Sequence, residues 1–197
     1  MDAIFCVIDR SGSMANCIDD TIGGFNTFLA DQPPDSLITT YLFDNEIIEL
    51  YRLKKASEAE PLNKTNYRPR GGTALLDAMG RAIKVASKCE ADNITMVFLT
   101  DGAENSSVKY TEAHINDLID IRKREGWKFV FLAANQDAIR TGSSLGIPAE
   151  ASLTYGAENT QEAFRCLATA MQRCRTGETP CVQFTETERT SSCPAGT

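Results

Sequence analysis

The chain alternates between short apolar segments of strand length and longer segments with helical periodicity. Two segments, Ala3–Ile8 and Ile94–Leu99, are apolar almost throughout. Strands at the centre of a parallel sheet read this way because both of their faces are buried. Apolar residues at helical spacing follow in 18–29 and again in 75–86. This alternation predicts an α/β protein with a mainly parallel central sheet and helices on both faces.

The remaining segments fill out this architecture. Four further strands are predicted, at Leu37–Phe43, Ile47–Leu53, Lys128–Ala133 and Ala151–Tyr155. Further helices are predicted around 115–122, after Asp137 and around 164–171. Asp44 and Asn45 lie between two strand segments and indicate a tight hairpin turn, which adds one antiparallel strand at an edge of the sheet.

The chain has 197 residues, a length that favours one domain with a sizeable core. We assign residues 1–175 to this domain. Beyond Arg175 the composition shifts to Thr, Glu, Ser, Pro and Gly, with few apolar residues to bury. The sequence therefore predicts a polar, loose tail over residues 176–197.

Composition and charge narrow the possible partners and the compartment. The net charge of −7 argues against nucleic acid as a partner. No apolar run approaches the roughly 20 residues that span a bilayer, and no signal-peptide pattern opens the chain. The seven cysteines include no C-x-x-C pair, and the single histidine, His114, gives little support to a zinc site. We expect a soluble protein of the cytoplasm that does not bind membranes.

A polar stretch follows the first strand, where Asp9, Ser11 and Ser13 occupy every second position. Asp101 stands at the carboxyl end of the other apolar strand. Parallel sheets bind ligands beyond the carboxyl ends of their strands, where the strand order reverses. If the two strands are neighbours, two carboxylates meet there, and they repel each other unless a cation lies between them.

Thr73 follows Gly71-Gly72 at the start of a predicted helix and can bring a third hydroxyl to this position. The two glycines allow the loop to bend close to the site. Two carboxylates with three hydroxyls form a hard, all-oxygen donor set. This set suits Mg²⁺ or Mn²⁺ better than Zn²⁺, and Ca²⁺ less well because Ca²⁺ prefers more oxygens.

The set Asp9-x-Ser11-x-Ser13, Thr73 and Asp101 in "FLTDG" resembles the metal-ion-dependent adhesion site of the von Willebrand factor A domain family. "IGGFNTFLADQ", "RPRGGTALLDAMG" and "FLAANQDA" resemble small stand-alone A domains of bacteria and their phages. The resemblance covers residues 1–175 and implies a Rossmann-like, three-layer fold. It also implies that the three hydroxyls coordinate the metal directly or nearly so, with the two aspartates acting directly or through water.

Each of these residues also has an ordinary structural explanation. The serines and Thr73 could cap helices, and the aspartates could be turn residues. All five at the predicted strand ends make the metal site the better explanation. A second motif, Gly142-Ser143-Ser144-Leu145-Gly146, matches the G-x-S-x-G pattern of esterases, but a predicted helix rather than a strand precedes it. We interpret it as a helix-ending turn.

The leading hypothesis is a binding module without enzymatic activity, in which the metal accepts an Asp or Glu carboxylate of a partner protein. The residues expected to rim this site and contact the partner are Arg10, Met14, Gly72, Glu104 and Asn105. The alternative is a metal-dependent hydrolase of phosphate esters that uses the same ion. A third possibility is a subunit of a larger assembly, with the ion ordering its own loops. The resemblance also implies a monomer.

Overall fold

The structure, a computed structural model, describes residues 1–134 and 137–193. In these residues six strands form one sheet, in the order β3-β2-β1-β4-β5-β6. The strands are β1 (Asp2–Asp9), β2 (Leu37–Phe43), β3 (Ile47–Lys55), β4 (Asn93–Thr100), β5 (Lys128–Ala134) and β6 (Ser152–Tyr155). The helices are α1 (Ile18–Ala30), α2 (Leu75–Ala86), α3 (Glu112–Arg124), α4 (Ala138–Ser144), α5 (Thr160–Arg175) and α6 (Glu186–Ser192).

The two apolar strands of the sequence, β1 and β4, are neighbours at the centre of the sheet. β1 pairs in parallel with β2 on one side and with β4 on the other. All but the first residue of each strand are buried, as expected for strands that are covered on both faces. The chain runs from β1 to one side of the sheet and later returns to the other side. The strand order therefore reverses between β1 and β4.

Helices cover both faces, so the predicted three-layer architecture is confirmed. On β1, Ile4, Cys6 and Ile8 face one core, while Phe5 and Val7 face the other. The first core is closed by α1 and α5, which contribute a group of aromatic rings, Phe25, Phe28 and Phe164. The second is closed mainly by α2, whose buried face carries the apolar residues predicted from its spacing.

The predicted antiparallel edge strand is also confirmed. β3 pairs antiparallel with β2, and the hairpin turn between them contains Asp44 and Asn45. β3 extends to Lys55, two residues beyond the predicted end at Leu53. Leu53 has a φ of 48°, and the pairing with β2 contains register shifts. Such irregularities discourage pairing of an exposed edge with another chain.

The residues after Arg175 differ from the loose tail that the composition predicts. Val182 and Phe184 are buried in the same core as the apolar residues of α5, and α6 packs against α5 and β6. The Arg173 guanidinium donates two hydrogen bonds to the buried Glu188 carboxylate, at 2.7 and 2.8 Å. Most groups that anchor this segment are polar, so hydrophobic periodicity does not reveal them. Residues 194–197 of the predicted tail lie outside the described residues.

Two smaller sequence interpretations also have structural counterparts. Helix α4 ends at Ser144, and Gly146 follows with a φ of 85°, so the G-x-S-x-G match is a helix-ending turn as predicted. His114 is exposed in the first turn of α3. Among the described residues, none of the helices combines the length and the apolar character that a membrane crossing requires.

Candidate metal site

The two carboxylates predicted to meet do lie at adjacent strand ends. Asp9 is the last residue of β1 and is fully buried, while Asp101 directly follows β4. The Ser11 backbone N–H donates to one Asp9 oxygen at 2.6 Å, and the Thr100 hydroxyl donates to the other at 2.6 Å. Because both oxygens have a donor, the position of the Asp9 carboxylate is fixed.

The two serine hydroxyls connect the first loop to Asp101. The Oγ atoms of Ser11 and Ser13 are 3.0 Å apart, and the Ser13 hydroxyl donates to Asp101 Oδ1 at 2.6 Å. Ser11 is buried, whereas Ser13 is exposed to solvent. The pair therefore extends from the buried Asp9 to the protein surface.

Thr73 reaches the same position from a third segment. A Cβ atom placed on Gly102 would lie 3.2 Å from Thr73 Oγ1 and 3.5 Å from Ser13 Oγ. Both hydroxyls thus border the space above Gly102, which a larger residue would fill. The structure therefore brings together all five residues that the sequence predicts for the site.

Neither carboxylate of this site has a cationic partner among the described residues. Within residues 1–134 and 137–193, no Lys or Arg lies within ion-pair distance of Asp9 or Asp101. By contrast, Asp44, which is as buried as Asp9, pairs with Arg10 and Arg70, each at 2.9 Å. Burial raises the pKa of Asp9 to about 6, with a further contribution from the Asp101 charge, and burial also raises the pKa of Asp101.

These properties fit a hard divalent cation. A cation between the two carboxylates would offset both their burial and their mutual repulsion. The described residues contain no group of three or more His, Cys, Asp or Glu side chains that could hold a metal ion, so a cation here would need the hydroxyls as well as the two carboxylates. An all-oxygen set of this kind favours Mg²⁺ or Mn²⁺ over Zn²⁺.

The helix-capping explanation of the hydroxyls is wrong. Ser11 precedes the short 3₁₀ helix Gly12–Cys17 but makes no side-chain capping hydrogen bond to it. Helix α1 begins after Cys17, and α2 begins after Ala74 rather than after Thr73, again without a side-chain cap. None of the three predicted hydroxyl ligands is needed to cap a helix.

The structure does not place two of the five expected rim residues at the rim. Met14 is fully buried in the core, and the buried Arg10 forms its ion pair with Asp44. Neither side chain is available to a partner, because the loop after β1 turns both of them inward. Gly72 and Glu104 are half-buried, and Asn105 is exposed.

Glu104 instead connects the loop after β4 to helix α2. Its carboxylate accepts hydrogen bonds from the Leu76 backbone N–H at 2.9 Å and from the backbone N–H groups of Ser106 and Ser107. Asp77 of α2 reciprocates, because its carboxylate accepts from the backbone N–H groups of residues 108–110. These hydrogen bonds fix the loop that follows Asp101.

Sequence reasoning missed three residues that support the site. The Thr100 hydroxyl donates a hydrogen bond to the Asp9 carboxylate, and Asp44 forms an ion pair with Arg10. The third residue, Asn45, accepts a hydrogen bond from the backbone of the loop that carries Thr73. Thr100 had a usable signal, because it is a polar residue at the end of an otherwise apolar strand and directly precedes Asp101. The other two contacts join segments far apart in sequence and have no local signature.

No protein-family model matches the chain, and no curated protein matches it in sequence. Several solved structures share its fold. The von Willebrand factor domain of the pilus tip protein Mfa5 from Porphyromonas gingivalis superposes with a TM-score of 0.69 at 12% identity, covering 93% of this chain and 97% of that one. The von Willebrand factor type A protein of Catenulispora acidiphila gives 0.65 at 15% identity, covering 86% and 42%.

A third example is the ArnB paralog VWA2 of Sulfolobus acidocaldarius, with a TM-score of 0.61 at 18% identity and coverage of 86% and 44%. The chain spans less than half the length of the VWA2 and Catenulispora proteins. At these identities the comparisons establish architecture alone, and that architecture agrees with the six-stranded sheet and its single antiparallel edge. The chain therefore has the fold of a von Willebrand factor A domain.

Proposed function

We propose that this chain is a protein-binding module without enzymatic activity, whose binding depends on Mg²⁺ or Mn²⁺ held by Asp9, Ser11, Ser13, Thr73 and Asp101. The partner supplies an Asp or Glu side chain. The observation that carries this proposal is the convergence of a buried carboxylate, a half-buried carboxylate and three hydroxyls, with which no Lys or Arg of the described residues forms an ion pair.

The site is suited to an outside carboxylate in two respects. Ser13 is exposed and Asp101 half-buried, so the site opens to solvent at one side. The hydroxyls of Ser11, Ser13 and Thr73 are neutral, so a divalent ion bound to them would remain a Lewis acid that attracts an anionic oxygen. The fixed loops around the opening would then select among acidic partners.

The fold neighbours include proteins that fit such a role. One is the pilus adhesin SpaC of Lactobacillus rhamnosus GG, with a TM-score of 0.68 at 15% identity, covering 85% of this chain and 29% of that one. Another is a manganese-loaded TRAP protein of Plasmodium vivax, with a TM-score of 0.52 at 18% identity, covering 68% and 57%. These neighbours support a metal-dependent adhesion module as the proposal for this chain.

The hydrolase alternative requires a general base beside the metal. The obvious candidates are Asp9 and Asp101. Both Asp9 oxygens already accept hydrogen bonds, and Asp101 Oδ1 accepts one from Ser13. We therefore retain a non-enzymatic role. None of the seven cysteines, all within the described residues, forms a disulfide, which supports our proposal that the protein works in the reducing cytoplasm. We further propose that it is a monomer.

Affinity capture from native lysate tests this function. Immobilised protein in Mg²⁺ is expected to retain a partner that EDTA releases. Thr73→Val removes one hydroxyl at nearly constant volume and is expected to abolish the EDTA-sensitive fraction. Thr169→Val, on the exposed face of α5, is the matched control and should leave capture unchanged. Capture that is insensitive to EDTA, or equal for Thr73→Val and wild type, would contradict the proposal.

A further inference from the structure

We infer that Asn45 and Asn105 are positioning residues that hold the Thr73 hydroxyl in place and thereby set the affinity of the site for its divalent ion. This inference rests on the proposed function. The two asparagines come from different parts of the chain, the β2–β3 hairpin turn and the loop after β4. Neither is expected to coordinate the metal itself.

Three consecutive backbone N–H groups around Thr73 each have a fixed acceptor. The Gly72 N–H donates to Asn45 Oδ1 at 2.7 Å, and the Thr73 N–H donates to Asn105 Oδ1 at 2.9 Å. The Ala74 N–H donates to the backbone oxygen of Asp44 at 3.0 Å. The backbone on both sides of the Thr73 side chain is therefore held by groups outside its own loop.

Asn105 binds Thr73 in both directions. Its side-chain oxygen accepts a hydrogen bond from the Thr73 backbone N–H. Its own backbone N–H donates a hydrogen bond to the Thr73 backbone carbonyl oxygen at 3.0 Å. The Ser106 hydroxyl donates to the same Asn105 Oδ1 at 2.6 Å, which orients the amide. Thr73 is thus tied to the loop that begins at Asp101, so two of the proposed metal-binding segments are connected through this asparagine.

Close packing around the two glycines before Thr73 leaves no room for a larger residue at either position. Gly71 has a φ of 67°, and a Cβ atom on it would lie 2.3 Å from Asn45 Oδ1. A Cβ atom on Gly72 would lie 2.9 Å from Asn105 Oδ1 and 2.3 Å from Ser106 Oγ. The loop approaches both asparagines closely because it has no side chains there.

The hairpin that carries Asn45 is itself rigidly anchored. The Asp44 carboxylate accepts the Glu46 N–H at 2.7 Å and pairs with Arg10 and Arg70. Arg10 directly follows the metal-site residue Asp9. The hairpin turn is therefore fixed relative to the segment that carries Asp9. Through its hydrogen bond with the Gly72 N–H, Asn45 also fixes the backbone next to Thr73.

Titration of the 197-residue chain with Mn²⁺ in a calorimeter tests the inference. We expect Asn45→Ala and Asn105→Ala to bind Mn²⁺ at least about tenfold more weakly than wild type, the usual cost of removing a residue that orients a metal ligand. Asn45→Asp keeps an acceptor oxygen for the Gly72 N–H and is expected to restore the affinity. Asn116→Ala is the control, because it removes an asparagine hydrogen bond between α3 and α4.

The possible outcomes distinguish a failure of this inference from a failure of the proposed function. If wild type binds Mn²⁺ and both alanine variants bind it equally well, the inference is wrong while the proposed function stands. If wild type itself binds no Mn²⁺, the proposed function fails. Metal-free melting temperatures identify any variant that does not fold. Because Asn45 and Asn105 lie on different segments, the inference is tested on the remaining variant if one of the two does not fold.

Discussion

Replacing Asp101 with asparagine is expected to abolish stabilisation by Mg²⁺ while leaving the metal-free protein at least as stable as wild type. Asparagine keeps a side-chain oxygen that can accept the hydrogen bond from the Ser13 hydroxyl. It removes a half-buried negative charge that repels Asp9 and that pairs with no Lys or Arg of the described residues. The folded metal-free protein thus loses an unfavourable interaction, and the metal loses a favourable one.

The expected size follows from binding to the native state alone. At a free Mg²⁺ concentration about 100 times the dissociation constant, wild type gains roughly 2.7 kcal/mol of unfolding free energy. For a chain of this length, that corresponds to an increase of about 5–10 °C in melting temperature. Thermal unfolding in EDTA and in saturating Mg²⁺ measures the difference. Asp117→Asn, an exposed carboxylate on α3, is the control and should keep the full increase. If Mg²⁺ raises the melting temperature of Asp101→Asn as much as that of wild type, Asp101 does not take part in binding the ion.

Replacing Asp44 with alanine is expected to lower the free energy of unfolding by about 3–5 kcal/mol, because it leaves Arg10 buried without its counter-ion. The Arg10 and Asp44 side chains are 8% and 2% exposed, and their ion pair measures 2.9 Å. The same substitution removes a partner of Arg70 and the acceptor of the Glu46 N–H.

Urea unfolding of Asp44→Ala beside Glu46→Ala measures this effect. Glu46 also pairs with Arg70, at 2.6 Å, but its side chain is 67% exposed. Exposed ion pairs contribute at most about 1 kcal/mol, so Glu46→Ala should unfold close to wild type. Similar stabilities for the two variants would show that the Arg10–Asp44 pair does not stabilise the hairpin.

The sequence predicts the sheet well because its central strands carry a strong signal. Continuous apolar residues in β1 and β4 require burial on both faces, and the helical stripes between strands leave few other arrangements. The same reasoning predicts the site, since a carboxylate at the end of each central strand must project into one crevice. Asp9 and Asp101 are therefore placed by topology, before any side-chain detail is known.

The features that were missed depend on contacts between segments that are separated in the sequence. Composition predicts a loose tail after Arg175, but the Arg173–Glu188 pair and two buried apolar residues, Val182 and Phe184, anchor this segment. Likewise, Arg10 and Met14 lie beside the residues of the proposed metal site. Their side chains turn inward, because Met14 packs in the core and Arg10 pairs with Asp44. No local periodicity encodes such pairings.

The central claim is that oxygen atoms from three segments of this chain form a single divalent-cation site. Equilibrium titration of EDTA-treated, dialysed wild type with Mn²⁺ tests it most directly. We predict saturable binding of one ion per chain that Mg²⁺ displaces and that Asp101→Asn abolishes. The absence of saturable binding by folded wild type, or unchanged binding by Asp101→Asn, would contradict the account.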